Sequence, residues 1–197
     1  PSQMAIEDIA LACALPNFVV VAPADEHATR AATRALAAHV GPAYLRTGRP
    51  KSPVIYEDGC SQFQLGKAIQ LRDGRDVTLI ANGLMVAAAL EAAERLAASG
   101  IGARVLDMHT VKPLDEEAIV AAARETQGIV VAEEHLLRGG LGSAVAMVVA
   151  EHHPAPMRFV GIHDTYAESG KPEELLAKYG LTSEKIEEQA REIAQTR

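Results

Sequence analysis

Between residues 77 and 162 the sequence alternates short apolar runs of strand length with longer stretches of helical periodicity, and this alternation constrains the fold most. Val77–Ala81, Ala103–Met108, Gly128–Ala132 and Arg158–Ile162 are aliphatic and too short for helices, so they read as buried strands. Helical patterns fall at Met85–Ser99, Asp115–Glu125 and Ser143–His152. In the first of these Val86, Leu90, Ala93 and Leu96/Ala97 share one face, and Gly100 stops the helix. Two further helices close the sequence: Pro172–Tyr179, ended by Gly180, and Ser183–Thr196, with Thr182 or Ser183 as its cap. Repeated βα units with short loops imply an α/β fold with doubly wound, mostly parallel sheets.

The first 45 residues follow the same rule. A helix is expected from about Gln3 to Leu15, because Ile6, Ile9, Ala10 and Cys13 form one apolar face and Pro16 ends it. Phe18–Ala22 reads as a strand, Asp25 as the cap of a helix running to about His39, and Ala43–Arg46 as a second, parallel strand. From Gly48 to Gly74 the pattern loosens around Pro50, Pro53 and Gly59, and Phe63–Ala68 alternates like an edge strand. A fresh βα series after such a stretch reads as a domain boundary near 59–75, dividing the chain into residues 1–70 and 71–197.

Composition narrows the function. The chain has 197 residues, 48% of them apolar and 23% charged, which excludes a disordered chain and is enough for a sizeable core. No apolar run reaches the length of a membrane span, and the first residues carry no signal-peptide pattern. Cys13 and Cys60 form no disulfide framework or metal spacing, which suits a reducing cytoplasm. Residues 1–70 hold six Lys/Arg and six Asp/Glu, so the formal charge of −7 falls entirely in residues 71–197. With aromatics at 4%, an acidic surface argues against nucleic acid and anionic membrane as partners.

Five constellations could carry chemistry. Arg46-Thr47-Gly48-Arg49-Pro50 ends a parallel strand, where ligands of open α/β sheets collect, and its two arginine forks suit a phosphate. Gly139-Gly140-Leu141-Gly142-Ser143 opens a helix whose free N–H groups could hold an anion, or is a tight turn between strand and helix. Glu133-Glu134-His135 could perform acid–base work or bridge an interface. Asp107 with His109, and His163 with Asp164, have similar spacing at strand ends, whereas His152-His153 ends a helix and complements its dipole.

Taken together, these residues resemble a known family. Pro1–Ala10, Leu15-Pro16-Asn17, Val21–Asp25 and Tyr44–Pro50 resemble the pyrimidine-binding domain of transketolases. Leu106–Asp115, Glu133–His135, Gly139–Ala144 and Ser169–Leu176 resemble the family's C-terminal domain. The resemblance covers essentially all 197 residues in order and implies the end of a pyrimidine-binding domain (1–70) followed by a Rossmann-like C-terminal domain (71–197).

It implies a function as well. Transketolases move a two-carbon ketol unit between ketose and aldose phosphates, using thiamine diphosphate and a divalent metal (Mg or Ca). Arg49 matches the family arginine that holds the substrate phosphate. Gln3 stands where many microbial relatives have a histidine near the reacting carbons; glutamine can hydrogen-bond there but cannot titrate near neutral pH. Arg46 is expected to support the loop rather than touch substrate. The family's cofactor and metal ligands belong to segments preceding this one, so the chain is expected to bind no cofactor and to be inactive alone. Its expected partners are the N-terminal part or subunit of the enzyme, a second copy in a homodimer, and sugar phosphates. Two alternatives stand beside this: another thiamine-dependent enzyme (deoxyxylulose-phosphate synthase or a 2-oxoacid dehydrogenase β chain), and a non-catalytic module binding an anion at Gly139–Ser143.

Overall fold

The computed structural model describes residues 5–48, 51–57 and 59–195. Its larger sheet has four parallel strands, β4 (Val77–Ala81), β5 (Ala103–Asp107), β7 (Ile129–Leu136) and β8 (Met157–Ile162), in the order β5-β4-β7-β8. A fifth strand, β3 (Ile69–Arg72), runs antiparallel along the outer side of β5. The strands are apolar because both faces are covered. Leu79, Ala81, Val105, Val130 and Ala132 share a core with α3 (Met85–Ala98) and α7 (Ser183–Ala194). Ile80, Leu106, Ile129 and Val131 share another with α4 (Glu116–Glu125) and α5 (Leu141–His152). Ala89, Ala92 and Ala93 give α3 a flat inner face that lets it lie close to the sheet. Asp115 and Thr182 cap α4 and α7 by accepting from Ala118 N and Lys185 N.

The first part of the chain builds a smaller sheet. α1 (Asp8–Cys13) leads to β1 (Val19–Val21), and α2 (Glu26–Ala38) returns the chain to β2 (Ala43–Leu45), which pairs parallel with β1 as expected. The other side of β1 is taken by β6 (Thr110–Lys112), an antiparallel strand that departs just after β5. The two sheets therefore interlock. Ile9 and Ala12 of α1 and Val20 of β1 belong to the same buried cluster as Ile119, Leu141 and Val145. α6 (Pro172–Lys178) lies between β8 and α7 in the chain.

Three expected elements differ. The helix expected from Gln3 to Leu15 is confined, among the described residues, to Asp8–Cys13. Its earlier carbonyls are used elsewhere: Ala5 O accepts from Arg46 Nη2 and Ile6 O from Leu136 N, while Ala10 N donates to His135 Nε2. Phe63–Ala68 is not a strand; one turn precedes it at Ser61-Gln62 and a second falls within it at Leu65-Gly66, with Gly66 at φ +78°. Phe63 stacks on His109 and Ala68 N donates to Asp115, so the alternation reflects anchoring of a turn, and pairing starts at Ile69. β7 runs beyond Ala132, where the expected strand ends, to Leu136, so that Glu133 and His135 are buried and Glu134 is half-buried. Among the described residues no helix is long and apolar enough to cross a membrane.

Candidate functional site

Where β2 ends, Arg46 extends the ladder through its backbone N–H to Val21 O and turns its side chain toward α1 and β7. Its guanidinium makes three divergent bonds: Nε to Asp8 Oδ2 at 3.1 Å, Nη1 to Glu134 Oε2 at 3.2 Å, and Nη2 to Ala5 O at 3.1 Å. The Tyr44 hydroxyl donates to the same Asp8 oxygen at 2.7 Å, and burial pushes that phenol up to about 12. Burial also raises the Glu134 carboxyl above its ordinary range, against the pull of Arg46. Its cation is thereby paired with both Asp8 and Glu134.

The Glu133-Glu134-His135 triplet divides three tasks. Glu133, 1% exposed, accepts from Leu141 N at 2.7 Å and from Gly142 N at 2.8 Å, and so fills the N-terminus of α5 with the chain's own carboxylate. The Gly139–Ser143 turn is therefore not an open anion site, and the reading of a non-catalytic anion-binding module loses its binding place. Gly140 permits this approach, since a Cβ there would lie 2.1 Å from Glu133 Oε2. Burial raises the Glu133 carboxyl to about 7, opposed by the two N–H bonds and by Arg46. His135 is fully buried, and burial lowers its pKa. Its Nε2 receives Ala10 N, so Nδ1 carries the proton and donates to Leu136 O at 2.7 Å. The triplet ties α1, β2 and α5 to β7 within one chain, which leaves these side chains little freedom for acid–base chemistry.

A second clamp holds the segment after β2. Asp25 caps α2 through Oδ1, to Ala28 N, while its Oδ2 accepts from Ile55 N at 2.7 Å and Tyr56 N at 2.9 Å. The Tyr56 hydroxyl donates to Asp107 Oδ2 at 2.6 Å, and burial lifts that carboxyl to about 7. His109 lies nearby in the chain, fully buried, with Nδ1 on Thr110 Oγ1 at 2.9 Å and its pKa lowered to about 4 by burial. The capping role of Asp25 was legible from sequence, but its second oxygen and the Tyr56–Asp107 bond had no local signal. His163 and Asp164 line a separate small recess at the ends of β7 and β8 with Leu136, Leu137, Arg138 and Ile162. His152 lies 3.8 Å from Glu116 at the end of α5.

Both residues expected to meet substrate, Gln3 and Arg49, lie outside the described residues. Their neighbours in sequence do not: Ala5 and Arg46 are the two ends of one hydrogen bond. Among the described residues no group of three His, Cys, Asp or Glu could hold a metal ion, and Glu133 occupies the α5 N-terminus.

The fold and this polar joint define a Rossmann-like α/β unit interlocked with a smaller three-stranded mixed sheet. The family model "Transketolase, C-terminal domain" matches residues 66–186, and the chain belongs to the transketolase family. It is 44% identical to the 6-deoxy-6-sulfo-D-fructose transketolase subunit SqwH of Clostridium sp. (strain MSTE9) over 98% of this chain and 60% of that protein. It is 39% identical to 1-deoxy-D-xylulose-5-phosphate synthase of Heliobacterium modesticaldum over 95% of this chain and 29% of that protein. A solved structure titled "Split gene transketolase, inactive beta4 tetramer" superposes with a TM-score of 0.90 at 44% identity, covering 98% of this chain and 62% of that one. The chain thus spans about three fifths of the length of the transketolase subunits it matches.

Proposed function

We propose that the chain is the C-terminal part of a cytoplasmic transketolase that transfers a two-carbon ketol unit from a ketose phosphate to an aldose phosphate. Residues 1–70 would be the end of its pyrimidine-binding domain and residues 71–197 its C-terminal domain. The observation that carries this reading is the 44% identity, over 98% of the chain, to a split-gene transketolase of the same fold. Arg49 anchors the oxyanion at the end of the sugar; an arginine fork suits phosphate and also the sulfonate that the Clostridium relative's name implies. Gln3 hydrogen-bonds the sugar near the reacting carbons and orients it without exchanging a proton. Thiamine diphosphate with Mg or Ca supplies the carbanion chemistry when bound, held by residues of an N-terminal partner. The chain adds substrate contacts and part of a homodimer surface, and is inactive alone.

One further observation favours a second reading: the identity to the deoxyxylulose-phosphate synthase is 39% over nearly the whole chain. A single experiment separates them. The chain is reconstituted with its N-terminal partner, thiamine diphosphate and Mg, then offered a ketose phosphate with an aldose phosphate, or pyruvate with an aldose phosphate. Ketol transfer without pyruvate decarboxylation is the expected result. Decarboxylation alone favours the synthase, and neither activity overturns both readings.

A further inference from the structure

We infer that segment 51–57 is a pH-sensitive strap, closed over the joint between the two sheets while the Asp107 carboxyl carries a proton and loosened once that proton is released. The segment has no regular secondary structure, and Lys51, Pro53, Val54 and Glu57 are exposed along it. Among the described residues three hydrogen bonds hold it, and each ends on a carboxylate. Ile55 N and Tyr56 N donate to Asp25 Oδ2 at 2.7 and 2.9 Å, and the Tyr56 hydroxyl donates to Asp107 Oδ2 at 2.6 Å. Asp25 stands between β1 and α2 of the smaller sheet, whereas Asp107 is the last residue of β5 in the larger one. Tyr56, 8% exposed, therefore bridges the two sheets through a single residue.

The surroundings of Asp107 make this bridge depend on its proton. The carboxyl is fully buried; Oδ2 accepts from Tyr56, and Oδ1 has no hydrogen-bond partner among the described residues. Its neighbours in register, Ala81 of β4 and Ile69 of β3, are apolar. Two further ionisable groups face the pair: the Asp25 carboxyl at the start of α2, and the Cys60 thiol on the Tyr56 side. Both are acids, so neither offsets a negative charge on Asp107. His109, two residues on, turns Nδ1 to Thr110 Oγ1 and is held neutral by burial down to about pH 4. With no cation set against it among the described residues, the carboxyl keeps its proton instead of a buried charge. Burial lifts it to about 7, against about 4 for an aspartate in water. The closed strap thus holds a proton that the opened, hydrated carboxyl gives up to solvent. By linkage, closure is strongest below about pH 4, weakens as pH rises to 7, and stays level above. Across that window the opening equilibrium shifts by at most about tenfold per pH unit.

The test follows amide hydrogen exchange of the full chain between about pH 5 and pH 8, with each rate divided by that of the unstructured peptide at the same pH. Protection of the Ile55 and Tyr56 amides is expected to fall about 10- to 100-fold from pH 5 to pH 7 and to level off above. Both amides should exchange faster than those of Leu79 and Ile80 in β4. Their rates should also stay unchanged in about 1 M urea, because a local opening exposes little surface. Asp107→Asn keeps an acceptor for the Tyr56 hydroxyl but cannot titrate, so its protection at Ile55 and Tyr56 should agree within about twofold at all pH values. Tyr56→Phe keeps the ring in the core and removes the bridge, and should lower Ile55 protection at pH 5 about 3- to 10-fold. A flat wild-type profile from pH 5 to pH 7 overturns the strap, and so does an Asp107→Asn profile as steep as the wild type's. Exchange of Ile55 and Tyr56 at the rates of β4, or unchanged Ile55 protection in Tyr56→Phe, overturns it as well. Should Asp107→Asn not fold, the wild-type profile and Tyr56→Phe decide by the same criteria.

Discussion

Removing the Glu133 carboxylate should cost far more than removing an ordinary strand-end glutamate. In Glu133→Ala, the N–H groups of Leu141 and Gly142 lose their acceptor in a place water does not reach, since Glu133 is 1% exposed and both residues are buried. Each orphaned buried donor costs about 1–3 kcal/mol, which gives about 4 kcal/mol for the pair. Glu133→Gln keeps one acceptor but turns an NH2 group toward the other N–H, so about 2–3 kcal/mol is expected. Gly140→Ala approaches the same contact from the other side. Its added Cβ would lie 2.1 Å from Glu133 Oε2, and the backbone at φ −87° accepts alanine without strain, so the cost comes from displacing the carboxylate. The double variant should then lose little beyond Glu133→Ala, about 1 kcal/mol for the remaining approach to His135 Nδ1 at 2.7 Å. Urea unfolding followed by far-UV circular dichroism measures the four variants against the wild type, and the lack of Trp makes this preferable to fluorescence. A Glu133→Ala loss below about 1 kcal/mol, or fully additive losses in the double variant, would refute the account of α5 as a helix whose N-terminus is closed by its own chain.

Other perturbations have signed outcomes. The folded chain holds a proton on Asp107 up to about pH 7, whereas an unfolded aspartate has released it near pH 4, so this group's stabilisation is complete below about pH 4 and fades as pH rises to 7. The stability difference between wild type and Asp107→Asn should therefore shift against the wild type across that window in urea titrations; a flat difference contradicts the assignment. His109 behaves oppositely: it stays neutral down to about pH 4, while the unfolded imidazole charges near 6.5, so wild type loses stability as pH falls through that interval. His109→Phe keeps a ring against Phe63 and should abolish that loss, read from the thermal midpoint between pH 7 and pH 4.5. Lys112 Nζ donates to the carbonyls of Cys13 and Leu15, so Lys112→Met should cost about 1–2 kcal/mol and raise hydrogen exchange in α1, with unchanged exchange there as the contrary result.

Most of the parallel framework was legible because its signals are local. Short apolar runs such as Val77–Ala81, the stop at Gly100 and the caps Asp25 and Thr182 act within a few residues, and each appears where expected. What failed to read depends on partners distant in sequence. The apolar face from Ile6 to Cys13 looked helical from Gln3 onward, but Arg46, Leu136 and His135 take the groups a longer helix would use. β7 continues past Ala132 through three ionisable residues because α1, Arg46 and the start of α5 supply partners for His135, Glu134 and Glu133 in turn. The antiparallel strand β6 is three residues long and has no pattern of its own; β1 creates it. At the site, the Arg46 segment could be singled out by its place at a strand end, whereas Asp25 with Ile55 and Tyr56 with Asp107 depend on tertiary pairing.

The polar joint between the two sheets separates stability from geometry. Ile9, Ala12 and Val20 already share a core with Ile119, Leu141 and Val145, so apolar burial supplies the attraction that keeps the sheets together. Burial of that kind has no direction and would tolerate a small slide of α1 along β7. The bonds that forbid a slide are the directional ones: Arg46 to Ala5 O, Asp8 and Glu134, and His135 to Ala10 N. Arg46 and Glu134 remain 17% and 32% exposed, so a partner left behind keeps some contact with water, which Glu133 at 1% does not have. The two neighbouring acids should therefore separate in their effects: loss of the Glu133 contact lowers the unfolding free energy, while loss of the Arg46–Glu134 contact leaves the fold standing and loosens its register.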